Sequence, residues 1–394
     1  MSEPALASYR RQTRRAMRRY AMFLLLIAVT GFIAVRVAYA HGELNKVSNR
    51  VAPPPAVLPS ASPGASLSLA WRSDDHPAGG DPYSEGVIVS FLGHTVNGRD
   101  ATTGAVRWFY TRSDMTVCSV VQQDRSTIAF YDREGNCDEV TGFVSATGKP
   151  KWYRTLTDNG PIEVASAPNV VLIVATTTVH VIDNADGIDR WMWSAPNGCE
   201  VDRSLDGSQG VLTSYHCGRQ NHLMLHDLIS SAVKWDIAVD SPMVPAAAGV
   251  LVGAADPATG TLTSYSTAKG TVTKRTALGP VAEVSAGLTA LPRAQTTVES
   301  FRPAARLEFI RAGRVFSLGP NAQVGWSATA TGDPLLVDDQ LVAVPEGARV
   351  ALRRSTDGHL ERRITLSVDP GPNYRIRQVG SGLLAAGRIT EIFG

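Results

Sequence analysis

A short phrase recurs along residues 101–362 at intervals of 36 to 52 residues. In each copy a polar turn is followed by Gly, three further residues and a large aromatic side chain. Clear copies end at Trp108, Trp152, Trp191 and Trp235, and weaker ones at Lys274, Trp326 and Arg362. A unit of about 40 residues cannot bury both faces of its own strands, so the copies must pack against one another.

Each copy predicts a β-hairpin, because an apolar alternating strand runs into a turn and the aromatic residue begins the outgoing strand. The glycine supplies the positive φ that the turn requires, at Gly104, Gly148 and Gly187, whereas Ser231 takes that place in one copy. We interpret the tryptophans as structural residues that pack between adjacent sheets. They are Trp71, Trp108, Trp152, Trp191, Trp235 and Trp326.

Counting the copies predicts how the sheets close. Trp71 occupies the same place in a strand with no preceding repeat, 37 residues before Trp108. Three strands are expected after Arg362, and they are Tyr374–Val379, Gly382–Ala386 and Arg388–Ile392. The first strand therefore has no sheet of its own, and the last sheet lacks one strand. This predicts an all-β, eight-bladed β-propeller over residues 67–394, closed by its N-terminal strand. Seven blades are the alternative if the 52-residue interval hides irregular structure or if one copy is not a true repeat.

The phrase resembles the pyrroloquinoline-quinone-type, or quinoprotein-like, propeller repeat, whose usual form is Asp-x-x-Thr-Gly-x-x-x-Trp after an apolar strand. The resemblance spans roughly residues 67–394 and is strong at residues 100–108, 144–152 and 181–191. Proteins with this repeat include quinoprotein dehydrogenases, the eight-bladed scaffold lipoprotein of outer-membrane β-barrel assembly and membrane-anchored actinobacterial members of unknown function. The resemblance implies a fold and leaves the chemistry open.

The N-terminal segment predicts export of the body. Residues 20–40 are apolar except for Arg36, which is long enough for a transmembrane helix that acts as a signal anchor. Six arginines precede this stretch, so we expect a cytoplasmic basic tail at residues 1–19, attachment to the plasma membrane by a single pass and an extracytoplasmic body. A cleaved secretory signal is the alternative, since VAYA before His41 resembles a cleavage site.

Residues 41–66 predict a stalk. The segment has no hydrophobic periodicity, and its prolines favour an extended backbone without internal hydrogen bonds. Those prolines are Pro53, Pro54, Pro55, Pro59 and Pro63. A proline-rich docking motif is the alternative interpretation.

The charge distribution argues against nucleic-acid binding. Residues 1–40 carry seven arginines against Glu3, a net charge of +6, whereas the rest of the chain has 31 basic and 35 acidic residues. A body with a net charge of −4 lacks the basic footprint that a phosphate backbone requires.

The four cysteines fall in the predicted body and pair by position. Cys118 with Cys137, and Cys199 with Cys217, each follow a repeat tryptophan and enclose one apparent hairpin. Matching positions in two blades predict two local disulfides formed in an oxidising compartment. A zinc site is the alternative, although no Cys-x-x-Cys spacing is present.

From the sequence we assign no residue a role in catalysis, metal binding or cofactor binding. His216, His222 and His226 form the best metal-like cluster, but His222 and His226 stand about 13 Å apart along one strand. The aspartates are assigned to turns, where the carboxylate caps its own backbone, and they include Asp100, Asp183, Asp186, Asp206 and Asp357. The resemblance implies that quinoprotein enzymes use adjacent cysteines and an acidic calcium cluster, and the sequence has neither.

These observations together predict a non-catalytic platform for protein partners in cell-envelope assembly or transport. The recognition loops expected from the sequence are Asp74–Tyr83, Asp124–Thr127, Asp202–Gly210 and Ala294–Arg306. An enzyme with its site in the propeller channel is one alternative, and a ligand-binding sensor is another.

Overall fold

The computed structural model describes most of the chain after residue 45 and one short helix before it. The described residues are 20, 22–32, 45–56, 58–59, 61–157, 163–167, 169–248, 251–278, 307–311, 314–318, 323–337, 340–371 and 374–394. They fall into two compact units. Unit 1 contains the described residues up to Ser48 together with Thr111–Ser113, and unit 2 contains Asn49–Tyr110 and Asp114–Gly394.

Unit 1 contains the only helix among the described residues, which covers 22–32 and has residue 20 in the same conformation. Thr30 Oγ1 donates a hydrogen bond to the Leu26 carbonyl at 2.8 Å, one turn earlier. Within the described residues, no helix has both the length and the apolar character needed to cross a membrane. The basic tail 1–19, residue 21 and residues 33–40 of the predicted span lie outside the described residues.

The all-β prediction is confirmed for unit 2, where short strands follow one another along the chain. The first strands are β1 (Val47–Arg50), β2 (Ser66–Leu67), β3 (Leu69–Ser73), β4 (His76–Pro77), β5 (Gly79–Gly80), β6 (Tyr83–Ser84), β7 (Val87–Leu92), β8 (Thr95–Asp100), β9 (Val106–Arg112), β10 (Thr116–Gln123), β11 (Ser126–Arg133), β12 (Asn136–Val144) and β13 (Lys149–Thr155). The central strands are β14 (Glu163–Ala167), β15 (Val170–Val174), β16 (Thr178–Asp183), β17 (Asp189–Ser194), β18 (Cys199–Gly207), β19 (Gly210–Cys217), β20 (Gln220–His226), β21 (Val233–Val239), β22 (Val244–Ala248), β23 (Val252–Asp256), β24 (Thr261–Tyr265) and β25 (Val272–Ala277). The last strands are β26 (Leu307–Arg311), β27 (Arg314–Leu318), β28 (Val324–Thr329), β29 (Gly332–Asp333), β30 (Leu335–Leu336), β31 (Leu341–Pro345), β32 (Arg349–Arg354), β33 (Leu360–Leu366), β34 (Tyr374–Val379), β35 (Gly382–Ala386) and β36 (Thr390–Phe393).

The described strands build eight sheets, numbered here in chain order. Sheet 1 has the order β9-β8-β7-β4 with β6 also on β7, and sheet 2 has the order β13-β12-β11-β10-β5. Sheets 3, 4 and 5 are simple four-stranded meanders, β14 to β17, β18 to β21 and β22 to β25. Sheet 6 shows β26-β27-β28, sheet 7 has the order β2-β33-β32-β31-β30, and sheet 8 has the order β29-β34-β35-β36-β3.

In an antiparallel meander the chain turns at two opposite ends of the strands, and we use the word edge for these two ends. The turn between the first and second strands and the turn between the third and fourth strands lie at one edge, which we call the turn edge. The turn between the second and third strands and the connection from the preceding sheet lie at the opposite edge, which we call the loop edge. In sheet 3 the second and third strands are buried runs, such as VVLIV in β15, whereas the fourth strand, β17, alternates.

The core of unit 2 lies between neighbouring sheets. One hydrophobic cluster joins Phe130 and Val140 of sheet 2 to Val171 and Ile173 of sheet 3, and all four side chains are fully buried. Further clusters of the same kind join sheets 3 and 4, sheets 4 and 5, and sheets 6 and 7. Each sheet therefore covers the apolar face of the next, as a repeat architecture requires.

The N-terminal strand β3 completes sheet 8, as the sequence predicts. It pairs antiparallel with β36, with Trp71 opposite Ile392 and Ser73 opposite Thr390. The three predicted C-terminal strands are also present, although the last begins at Thr390 and ends at Phe393. Arg72 donates hydrogen bonds to Glu391 Oε1 from Nε at 2.9 Å and from Nη2 at 2.7 Å.

Residues 49–67, which contain most of the predicted stalk, belong to unit 2 and lie along its sheets; we call this segment the strap, of which 57 and 60 lie outside the described residues. The Ala52 amide donates to the Thr147 carbonyl of sheet 2 at 3.0 Å. The Ala61 amide donates to the Gly380 carbonyl of sheet 8 at 3.3 Å, and β2 pairs in parallel with β33 of sheet 7.

Candidate functional site

Each repeat tryptophan docks on the turn of the following sheet. The indole Nε1 of Trp108 donates to the Ser145 carbonyl at 2.8 Å, and a Cβ on Gly148 would lie 2.5 Å from the indole ring. The other pairs repeat this geometry: Trp71 donates to Ala101 beside Gly104, Trp152 to Asn184 beside Gly187, Trp191 to Leu228 beside Ser231, Trp235 to Thr267 beside Gly270, and Trp326 to Ser355 beside Gly358. These glycines have φ of +67° to +74°, and Ser231 adopts φ +61° in the same place.

Two of these indoles also lie on a glycine of their own sheet. A Cβ on Gly98 would come within 2.0 Å of Trp108, and a Cβ on Gly142 would come within 2.3 Å of Trp152. Any side chain at these positions would displace the ring, because real Cβ contacts do not fall below about 3 Å. The tryptophans therefore hold neighbouring sheets together.

Both predicted disulfides are present at the loop edge. Cys118–Cys137 braces sheet 2 and Cys199–Cys217 braces sheet 4, where the two cysteines are directly opposite each other on β18 and β19. Cys118 is exposed, whereas Cys199 is buried, with only 5% of its surface accessible to solvent. No free cysteine is present in the chain, because all four take part in these bridges.

The three clustered histidines have separate partners. His216 Nδ1 lies 2.8 Å from Asp202 Oδ1 at the loop edge. His222 stacks on Tyr215 at a centroid distance of 4.6 Å. His226 lies at the turn edge, where its ring stacks on Trp191, and burial lowers the pKa of its imidazole. Across the described residues, no group of three His, Cys, Asp or Glu side chains is arranged to hold a metal ion.

The capping aspartates behave as the sequence predicts at four of the five positions. Asp100 accepts hydrogen bonds from the Thr102 and Thr103 amides, and although burial opposes the effect, these bonds lower its pKa. Asp183, Asp186 and Asp357 each accept from the amide two residues later. Their carboxylates therefore accept hydrogen bonds within their own turns.

Asp206 corrects the prediction, because it lies in strand β18 and not in a turn. Its side chain is fully buried, and neither carboxylate oxygen has a hydrogen-bond partner. Burial raises the pKa of Asp206 to about 7. The hairpin places the aspartate here because Asp206 is paired with Val211, two positions before the turn residues begin. The predicted recognition loop Asp202–Gly210 is accordingly a β-hairpin with only two turn residues.

A charge cluster on the first strands of sheets 8, 1 and 2 was not predicted from the sequence. Arg375 of β34 donates to the Gly80 carbonyl at 3.0 Å and to the Ala78 carbonyl at 3.1 Å. Arg377, two residues later, pairs with Asp81 at 2.9 Å. The alternating sequence YRIRQV indicates that both arginines lie on one face of the strand, because side chains in a strand repeat with a period of two. Their partners are almost 300 residues earlier, and no local pattern connects them.

Burial governs the electrostatics of this cluster. It raises the pKa of the Asp81 carboxyl, while Arg377 opposes the effect, and it lowers the pKa of the Arg375 guanidinium, while Asp333 and Asp81 oppose the effect. The guanidinium donors of Arg375 are used on backbone carbonyls. The cluster therefore ties three sheets together, and its charges are balanced within the chain.

The remaining predicted loops are distributed over different surfaces. Residues Asp74–Tyr83 contain β4 and β5, and β5 runs parallel to β10 along the first strand of sheet 2. Asp124–Thr127 is a tight turn at the turn edge, in which Asp124 has φ +52°. Ala294–Arg306 lies outside the described residues.

Comparisons with known proteins give structural similarity only. No family model matches the chain, and no curated protein matches it. BamB from Moraxella catarrhalis matches with a TM-score of 0.50 and 13% identity over 83% of this chain and 99% of its own. The computationally designed protein Ika8 matches with a TM-score of 0.56 and 13% identity over 84% of this chain and 100% of its own.

A redox enzyme shares the same fold. Quinohemoprotein alcohol dehydrogenase from Comamonas testosteroni matches with a TM-score of 0.50 and 12% identity, over 84% of this chain and 76% of its own. The donors that the resemblance implies for a quinone and calcium do not fit here, because each cysteine pairs with one 18 or 19 residues away and the described residues gather no carboxylate cluster. The chain thus has the fold of the quinoprotein-like β-propellers, as its repeat predicts.

Proposed function

We propose that the chain is a non-catalytic platform for protein partners in the cell envelope. The body is an eight-bladed propeller, one blade per sheet, closed by the pairing of β3 with β36. It is held outside the plasma membrane by an uncleaved anchor at residues 20–40, with the basic tail in the cytoplasm. The apolar stretch and the six arginines before it support this topology. Similarity in fold to BamB supports a role in envelope assembly.

The observation that carries the proposal is the loop edge. Two disulfides brace this edge in sheets 2 and 4, which is expected of a protein surface that must keep its shape in an oxidising compartment. The turn edge, in contrast, is covered by the strap across sheets 2, 1 and 8. We therefore assign the loop edge as the partner-binding surface and expect a folded protein of the same compartment to bind there.

Site-specific photo-crosslinking in intact cells tests this assignment. A crosslinking residue is placed at exposed loop-edge positions, Glu134, Asn197 and Arg219, and at exposed turn-edge positions, Ile188 and Ile229. We expect the loop-edge positions to capture the same small set of envelope proteins, and the turn-edge positions to capture none of them.

Two results would count against the proposal. Equal capture from both edges would show that the loop edge has no special role, and the absence of any captured protein would favour a small-molecule ligand. A variant in which a cleavable secretory signal replaces residues 1–40 serves as the control, because it exports the body without the anchor that should raise capture.

A further inference from the structure

The strap crosses the seam at which the two ends of the chain meet. From Ala52 to Ala61 its contacts pass from sheet 2 to sheet 1 and then to sheet 8, always at the turn edge. Arg107 of sheet 1 donates to the Pro53 carbonyl at 2.9 Å. Gln378 of sheet 8 donates to the Ala61 carbonyl at 2.7 Å. Four hydrogen bonds thus hold the described residues between Ala52 and Ala61 to the sheets.

Leu58 of the strap enters the hydrophobic cluster of the seam itself. That cluster joins Ile88 of sheet 1 to Val379 and Leu384 of sheet 8, and Trp71 of the closing strand packs against it. A neighbouring part of the strap fits closely on sheet 1, since a Cβ on Gly86 would lie 3.0 Å from the Ala56 carbonyl oxygen. The strap is therefore packed into the seam as well as hydrogen-bonded across it.

The strap leads directly into the closing strand. The Ser68 amide donates to the Gly394 carbonyl at 3.1 Å, and the Gly394 amide donates to the Ser68 carbonyl at 2.9 Å. Only residues 62–67 separate Ala61 from this contact, and β2 within them is paired to β33. Displacement of the strap therefore pulls on the strand that joins the first and last parts of the body.

We infer that the strap is a latch, a proline-containing segment of the chain that binds the body across its closure seam and must be released before the seam can open. The seam thus binds an extended peptide that contains proline and inserts a leucine side chain. The chain supplies this peptide itself. The latch depends only on contacts within unit 2 and is independent of the proposed function.

Amide hydrogen exchange of the full-length protein tests the latch. Leu58→Ala removes the seam contact, and Val51→Ala is the matched control, because Val51 belongs to the same strap but is 49% exposed. The reporters are Ala52 and Ala61 for the strap, Ser68 for the seam, and Gly187, bonded to the Asp183 carbonyl in sheet 3, as a remote site. We expect Leu58→Ala to speed exchange at the first three amides about tenfold and to leave Gly187 unchanged.

Two outcomes would overturn the inference. Unprotected exchange at Ala52 and Ala61 in the unmodified protein would show that the strap is not docked. Faster exchange at these two amides with Ser68 unchanged would show a passive cover and no latch.

A second pair of variants guards against simple misfolding. Gly86→Ala introduces a side chain under the strap at φ +84°, whereas Gly135→Ala introduces the same methyl at φ +93° with no neighbour within 4 Å. Both carry the cost of a positive φ, but only Gly86→Ala should accelerate exchange at Ala61 and Ser68. Equal acceleration by the two variants would contradict the latch.

Discussion

Single glycines set how closely neighbouring sheets approach one another. Gly148→Ala would place a methyl group 2.5 Å from the Trp108 indole at φ +70°, so both overlap and backbone strain oppose it. We expect a loss of about 3 kcal/mol in the free energy of unfolding, measured by denaturant titration. Gly135→Ala is the control, because its φ is +93° but it has no neighbour within 4 Å, and it should cost about 1 kcal/mol. A similar loss in both variants would show that packing on the indole contributes nothing.

Asp206 makes the stability of the body depend on pH. Since its pKa is raised to about 7 in the folded protein, the carboxyl keeps a proton that the unfolded chain has already lost. Its contribution to stability is therefore full below about pH 4 and is lost as the pH rises through about 7, a change of about 4 kcal/mol. Asp206→Asn should abolish this dependence, and the stability difference between variant and parent should grow in the variant's favour from pH 4 to pH 8.

Denaturant titrations at pH 4, 6 and 8 measure this difference. Asp240→Asn is the matched control, because the same change is made at an exposed carboxylate. If the difference in the free energy of unfolding between Asp206→Asn and its parent stays constant over this range, burial does not raise the pKa of Asp206.

The two disulfide bridges have similar cysteine spacing but differ in their exposure to solvent. Cys118 is exposed at the loop edge, whereas Cys199 is buried, so a small reductant reaches the first bridge more readily. We expect mild reduction followed by alkylation to label Cys118 and Cys137 before Cys199 and Cys217, as mass spectrometry of peptides would show. In denaturant all four should react at similar rates, and the same order of labelling there would trace the difference to local sequence and not to burial.

Loss of either bridge should weaken the body by a comparable amount. The two bridges close loops of 19 and 18 residues, for which the chain-entropy model gives about 3 kcal/mol each. The paired replacement of Cys199 and Cys217 by serine is therefore expected to lower the stability of the full chain by about that amount, measured by denaturant titration in parallel with the Cys118 and Cys137 pair.

The closure of the body joins residues more than 300 positions apart. Glu391 is 1% exposed and accepts two hydrogen bonds from Arg72, so Arg72→Met leaves a buried carboxylate without its partner. Because Arg72 is itself half exposed, we expect a loss of about 2 kcal/mol, partly recovered when Glu391→Gln is added. Arg125→Met is the control, since its ion pair with Glu85 is exposed and should contribute less than about 1 kcal/mol. No recovery in the double variant would argue against the ion pair as the cause.

Much of the architecture could be predicted because it is encoded locally. The turn phrase marks each third-to-fourth turn, the cysteine spacing marks two hairpins, and the three C-terminal strands follow from alternation over five or six residues. Such patterns depend on φ preferences and on the period of two in a strand, which act between neighbours in the chain. The anchor at residues 20–40 stays a prediction, as does the alternative of a cleaved signal.

Strand pairing and tertiary packing decided the features that local patterns missed. Asp206 resembles a turn aspartate by its DG sequence, but pairing with Val211 places it inside a strand and burial removes it from water. Residues 49–67 have the composition of a free stalk. They are nevertheless held to the body by hydrogen bonds to carbonyls of sheets 2 and 8 and by packing on the hydrophobic cluster of the seam. The sequence thus determined the repeating unit and its covalent braces, whereas the strap and the charge cluster arose only in three dimensions, because their partners are brought together by closure of the chain on itself.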